Sequence, residues 1–142
     1  MLSFQAMTTV TDLRWKQIVV GGIAPHVIST GLLIVAIVGY TFLVAFGTGG
    51  EPDPNALQQF NTVSGTLIFP IVTILLTVVA AGWVARRAES ETATLHGLAV
   101  GILAGLVGFL FGALDVMMLV RFVLTVGAGI LGARLLPGLL GD

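Results

Sequence analysis

Cysteine is absent from this chain of 142 residues, charge is scarce and tyrosine occurs once. Without cysteine there are no disulfides, no thiolate metal sites and no cysteine nucleophile, and the usual clue to redox compartment is missing. Charged residues make up 9% of the chain, against roughly 25% in average soluble domains. The formal net charge of −1 gives no electrostatic basis for binding nucleic acid. Catalytic motifs are lacking as well. There is no Gly-x-Ser-x-Gly, no His-Glu-x-x-His, no phosphate loop and no carboxylate pair inside an apolar run. His26 and His96 have no carboxylate within four residues and do not make a convincing metal site. The expectation is a non-enzymatic protein with no cofactor, no metal and no identifiable small-molecule ligand.

Apolar surface is what the chain has in abundance. It is 56% hydrophobic, with a mean hydropathy of +1.07. So short a chain cannot hide that much apolar surface from water, so the surface must face a lipid bilayer. Crossing ~30 Å of hydrocarbon takes about 20 apolar residues. Four runs qualify, at 18–46, 62–86, 93–113 and 116–136. The first is too long and too late in the chain for a signal-peptide core of ~7–15 residues, and is read as a retained helix. Met7 is a second candidate start beside Met1, because residues 1–6 carry no charge. The expected fold is all-α: a single transmembrane domain over 1–142, built as an integral membrane four-helix bundle.

Arg14 and Lys16 precede the first run, Arg86 and Arg87 follow the second, and Arg134 closes the fourth. All five fall on one side if the helices alternate. Glu51, Asp53 and Asp115 fall on the other. Short loops rich in Lys and Arg stay in the cytoplasm. The chain is therefore expected in the cell (inner or plasma) membrane, multi-pass, with both termini cytoplasmic. Asp53 before Pro54 has the form of a helix start, and Asp115 is placed to cap the fourth run. Ser90 or Thr92 can cap the third, and Pro137 with Gly138 should stop the fourth. Pro25 and Pro70 lie inside helical runs, where each removes a backbone hydrogen bond. Membrane helices tolerate this when neighbours supply a substitute partner.

Glycine is concentrated on one face. At 100° per residue, Gly97, Gly101, Gly105, Gly108 and Gly112 fall in a sector about 80° wide. Small residues at such spacing allow close backbone contact between helices in lipid. This face is read as a packing groove, used internally or for a second copy or a foreign subunit; a pore lining is the remaining reading. Thr62, Thr66, Thr73 and Thr77 make a second stripe, within about 60° of one another. Each can return a bond to its own helix, or the stripe can line a polar path.

Arg121 stands about six residues into the fourth run, on the same face as Thr125, Gly129 and Gly132. It can snorkel to the outer headgroups, pair with a carboxylate or with the Thr62–Thr66 end of the threonine stripe, or serve an anion or substrate. His26 and His96 are placed near the cytoplasmic ends of their spans, as capping or interfacial residues. Each stands five residues before a glycine, Gly31 and Gly101, which raises a duplication of two helical hairpins.

Over Ala81 to Leu106, "AGWVARRAESETATLHGLAVGILAGL", the chain resembles a group of small, glycine-rich bacterial four-span proteins of unknown function, spore-former members among them. The shared features are a small-residue helix end, an arginine pair, and a short turn into Leu-His-Gly and a glycine-spaced span. The acidic "ESET" and the long "GTGGEPDP" loop depart from that pattern. The resemblance implies a fold and no activity.

Two functions are carried forward. The first is an accessory, assembly or scaffold subunit that packs through small-residue helix faces against itself or another membrane protein. The second is a small oligomeric transporter or channel, with Arg121 and the Thr62, Thr66, Thr73, Thr77 stripe lining a path. The topology is directly testable. Single cysteines replacing Ser90 and Asn55 should label from opposite sides of the membrane, position 55 from outside. Labelling of both from the outside would rule out the alternating arrangement.

Overall fold

The computed structural model describes residues 13–111 and 115–139. Gly112 and both candidate start methionines lie outside the described residues. The first rod is α1 (Trp15–Gly47). The second is continuous: α2 (Pro54–Val63), a π-helical turn (Ser64–Ile68) and α3 (Phe69–Ala85). The third, α4 (Ala93–Gly108), ends in a 3-10 turn (Phe109–Phe111), and α5 (Val116–Leu139) is the fourth. No strand occurs among the described residues. Each rod is long and apolar enough to cross a membrane. The chain is thus a multi-pass membrane protein with an all-α four-helix bundle.

The helix ends follow local chemistry. The Asp53 carboxylate accepts the Asn55 N–H at 2.9 Å, with Pro54 at the first helical position. Asp115 Oδ1 accepts the Met118 N–H at 2.7 Å. Two ends differ from expectation. Thr92 occupies the position before α4 but makes no side-chain cap; its hydroxyl donates to Glu89 O at 3.1 Å instead. Pro137 lies inside α5, which continues to Leu139. A proline disturbs a helix through its missing N–H and its contact with the carbonyl four residues back; here it stands two residues from the end of α5, so little of the rod lies beyond it.

α1 packs on α3 and α4, α5 packs on the same two helices, and α3 touches α4 between them. Ile18, Ala81, Val84 and Val100 form the apolar core, where α1 and α4 begin and α3 ends. Gly21 admits α1 to this core: a Cβ there would stand 2.9 Å from Val84 and 3.3 Å from Val100. Beyond Ser29, α1 has no buried residue. Its second half is accompanied by α2, and the Tyr40 and Phe60 rings stack at 4.1 Å. The exposed leucines, valines, isoleucines and phenylalanines along all four rods form the lipid-facing surface.

Glycines decide how closely α5 approaches its neighbours. A Cβ on Gly97 would collide with Ala133 and stand 2.5 Å from the Gly129 carbonyl oxygen. One on Gly101 would stand 2.9 Å from Val126 Cα, and one on Gly105 2.5 Å from the Phe122 ring. From the other side, a Cβ on Gly129 would strike the Gly97 carbonyl, and one on Gly132 the Val78 carbonyl of α3. Gly108 differs, because it faces His26 of α1 at 3.5 Å, an ordinary contact. Replacing Gly129 or Gly132 by alanine should lower stability in detergent by about 1–3 kcal/mol, the usual range for overpacking. Gly127 has nothing within 4 Å of its would-be Cβ, so Gly127→Ala should be neutral or slightly stabilising. Thermal unfolding of the three variants checks this; equal small effects would exclude close approach at Gly129 and Gly132.

Candidate functional site

The polar residues inside the spans separate into two places. One lies at the end where α1 begins. There the buried His96 holds its ring between two backbone groups. Nδ1 is 2.9 Å from Thr92 O, and Nε2 accepts the Arg14 N–H at 3.1 Å. The first contact makes Nδ1 the protonated nitrogen, so the ring is a neutral acceptor toward α1. The first N–H groups of a helix lack intrahelical partners, and His96 fills that need for α1 from another helix.

The second place is a cleft of about 80 Å³ between α1, α3, α4 and α5. Its polar groups come from His26, Thr73, Arg121 and Thr125. Phe69, Phe111, Met118 and Phe122 form apolar walls, and Pro70 lies along one side. His26 is buried and stacks on Phe111, with ring centroids 5.7 Å apart and planes at 15°. Its Nδ1 is buried against the backbone of Gly22, four residues before it, and its Nε2 lies toward Gly108. This corrects the placing of His26 at the entry end of its span. α1 and α4 run side by side from the Arg14–His96 contact. His26 therefore reaches the level of Gly108 and Phe111, at the far end of α4. The two histidines stand about 18 Å apart along the helices. They cannot exchange a proton, and the spacing that raised a duplication aligns residues at different depths.

Arg121 Nη2 donates to Thr66 O at 2.8 Å. The reason lies in α3. An α-helical residue donates to the carbonyl four before it, and Pro70, with no N–H, cannot serve Thr66 O. The backbone widens at the same point: Phe69 N–H bonds to Ser64 O, five residues back, within the π-helical turn. In hydrocarbon a released carbonyl must find a donor, and the arginine of α5 supplies it. Among the described residues no carboxylate lies within ion-pair distance of Arg121. Asp115 is engaged in capping α5.

The threonines do not share one lumen. Thr62, Thr66, Thr73 and Thr77 each donate to the carbonyl four before, at 2.7–2.9 Å. Thr62 and Thr66 are exposed, Thr77 is fully buried, and only Thr73 borders the cleft. Thr73 also lies 2.9 Å from Ser29 Oγ, and Ser29 donates to Pro25 O at 2.6 Å. This link between α1 and α3 was not anticipated. Ser29 and Thr30 are adjacent hydroxyls in a long apolar run, and the side that faces α3 was the missing information. Gly97, Gly101 and Gly105 lie against α5.

Comparison with protein-family models, curated proteins and solved structures finds no match.

The Arg121–Thr66 contact makes a quantitative prediction. Arg121→Leu should destabilise by about 1–2 kcal/mol, near the low end for a hydrogen bond to a charged group because the site is part-exposed. In a Pro70→Ala background the restored N–H can serve Thr66 O, and the cost of Arg121→Leu should fall by more than half. Thermal unfolding in detergent of the two single variants and the double variant gives the coupling. Strict additivity would remove the proline as the cause.

Proposed function

We propose that this protein is a non-enzymatic accessory, assembly or scaffold subunit of the cell membrane, both termini cytoplasmic, whose working surface is the second half of α1. The observation that carries this reading is the bareness of that half. From Thr30 to Gly47, about 27 Å of helix, no residue is buried. Val35, Phe42, Leu43 and Phe46 are 61–83% exposed. Gly31 and Gly39 have nothing within 4 Å of a would-be Cβ. They fall about 80° apart on the helix, with Val35 between them. Open glycines let another membrane helix approach closely. The Gly97–Gly105 face offers no such opening, because α5 covers it. The proposal includes the kinship suggested over Ala81 to Leu106.

A transporter or channel is the second reading, and the cleft beside the π-helical turn is what favours it. Against it stand the threonine hydroxyls, each already engaged with an oxygen of the protein.

The chain has no cysteine, so one cysteine placed at Val35 reports contacts cleanly. It should cross-link in native membranes, to itself or to a second membrane protein. Gly31→Leu and Gly39→Leu should each reduce cross-linking at least tenfold and leave the melting temperature unchanged. Failure of the cysteine at 35 to cross-link, or cross-linking indifferent to both leucines, rejects this surface. Flux in liposomes that is lost in Arg121→Leu, with its assembly intact, would put the second reading first.

A further inference from the structure

We propose that the cleft between α1, α3, α4 and α5 is a binding site for an oxyanion, the phosphate of a membrane lipid headgroup, held by the Arg121 guanidinium and the His26 ring. The argument begins with charge. Arg121 lies inside a span, where a cation is costly unless it is compensated. Among the described residues no carboxylate is close enough to pair with it. Asp115 caps the Met118 N–H and Asp53 caps Asn55. One Nη2 bond goes to Thr66 O. A guanidinium has five N–H donors, so most remain for a planar, two-point contact of the kind phosphate accepts.

The second donor is His26. Its ring is 95% buried, borders the cleft and is held against Phe111. Its Nε2 edge lies beside Gly108, another residue of the cleft wall, so that nitrogen is the one the ring offers to an anion. The threonine hydroxyls at the cleft are not rivals for the anion. Thr73 donates to Phe69 O or Ser29 Oγ, and Thr125 donates to Arg121 O at 2.8 Å.

Size and setting complete the case. At about 80 Å³ the cleft is several times the ~10–15 Å³ that one water needs, which leaves room for a tetrahedral oxyanion. The rings of Phe69 and Phe122 and the side chain of Met118 suit the methylenes next to a headgroup better than they suit water. Arg121 is part-exposed between rods that face lipid, so an amphiphile reaches it from the bilayer without dehydrating a free ion.

The test is thermal stability of the whole protein in mild detergent, titrated with phosphatidylglycerol, phosphatidylcholine or inorganic phosphate. The wild type should melt several degrees higher with phosphatidylglycerol than with phosphatidylcholine. Arg121→Gln should lose most of that difference, and Arg134→Gln, at the opposite end of α5, should keep it. Gly108→Leu is a second probe with the guanidinium intact. Its Cβ makes only an ordinary contact with His26, and the rest of the leucine fills the cleft, so the difference should again be lost. A shift reproduced by inorganic phosphate and lost in the same variants supports the site with a free anion as its occupant. A wild type indifferent to both phosphatidylglycerol and phosphate overturns the proposal. So does a full difference persisting in either cleft variant.

Discussion

The bundle depends on bare backbone meeting bare backbone at Gly129 and Gly132. Each stands where a methyl group would collide with a carbonyl oxygen of a neighbouring helix. In lipid, two apolar helices gain little by leaving their surroundings, so association rests on dispersion at short range and on polar contacts. Dispersion weakens steeply with a gap of even 0.5–1 Å. Glycine on both sides of the α4–α5 seam brings the helices within that range. Once α5 is seated between α3 and α4, its other side chains have fixed addresses. Arg121 can meet Thr66 O only because residues 125–133 hold α5 in register.

The polar contacts then follow from what each helix cannot do for itself. Pro70 leaves a carbonyl on α3, and α5 supplies a guanidinium. The start of α1 leaves an N–H, and α4 supplies a histidine. In both cases one helix corrects a backbone deficit in another. Water would do this for a soluble protein, but within hydrocarbon only protein or lipid headgroups can. The cleft lies where such mutual service is incomplete, with one Arg121 bond made to Thr66 O and the other guanidinium donors left over.

Much of this was legible in the residues. Four spans, the caps at Asp53 and Asp115 and the glycine face of α4 follow from composition and from a period of 3.6. So does the need of Pro70 for a substitute donor, although naming Thr66 required only counting back four residues. What could not be read was depth and rotation between helices. Nothing local distinguishes a histidine level with Arg14 from one level with Phe111. Likewise, spacing alone could not show that Gly101 meets α5 while Gly108 meets α1. These are properties of register between rods, and register is settled by contacts distant in sequence, such as Gly97 with Gly129.

The length of α1 has a consequence for the membrane itself. At 33 residues it is about 50 Å long, while the third rod, at 19 residues, is about 28 Å. One molecule thus offers the bilayer two hydrophobic thicknesses on two sides. Lipid adapts to mismatch by stretching, thinning or letting a helix lean, at fractions of a kcal/mol per Å. The lipid collar around this protein is therefore uneven, thick beside α1 and the 32-residue second rod and thin beside α4. Such a collar relaxes when thick sides of neighbouring molecules meet, so the bilayer alone biases which flank of the protein another protein encounters first.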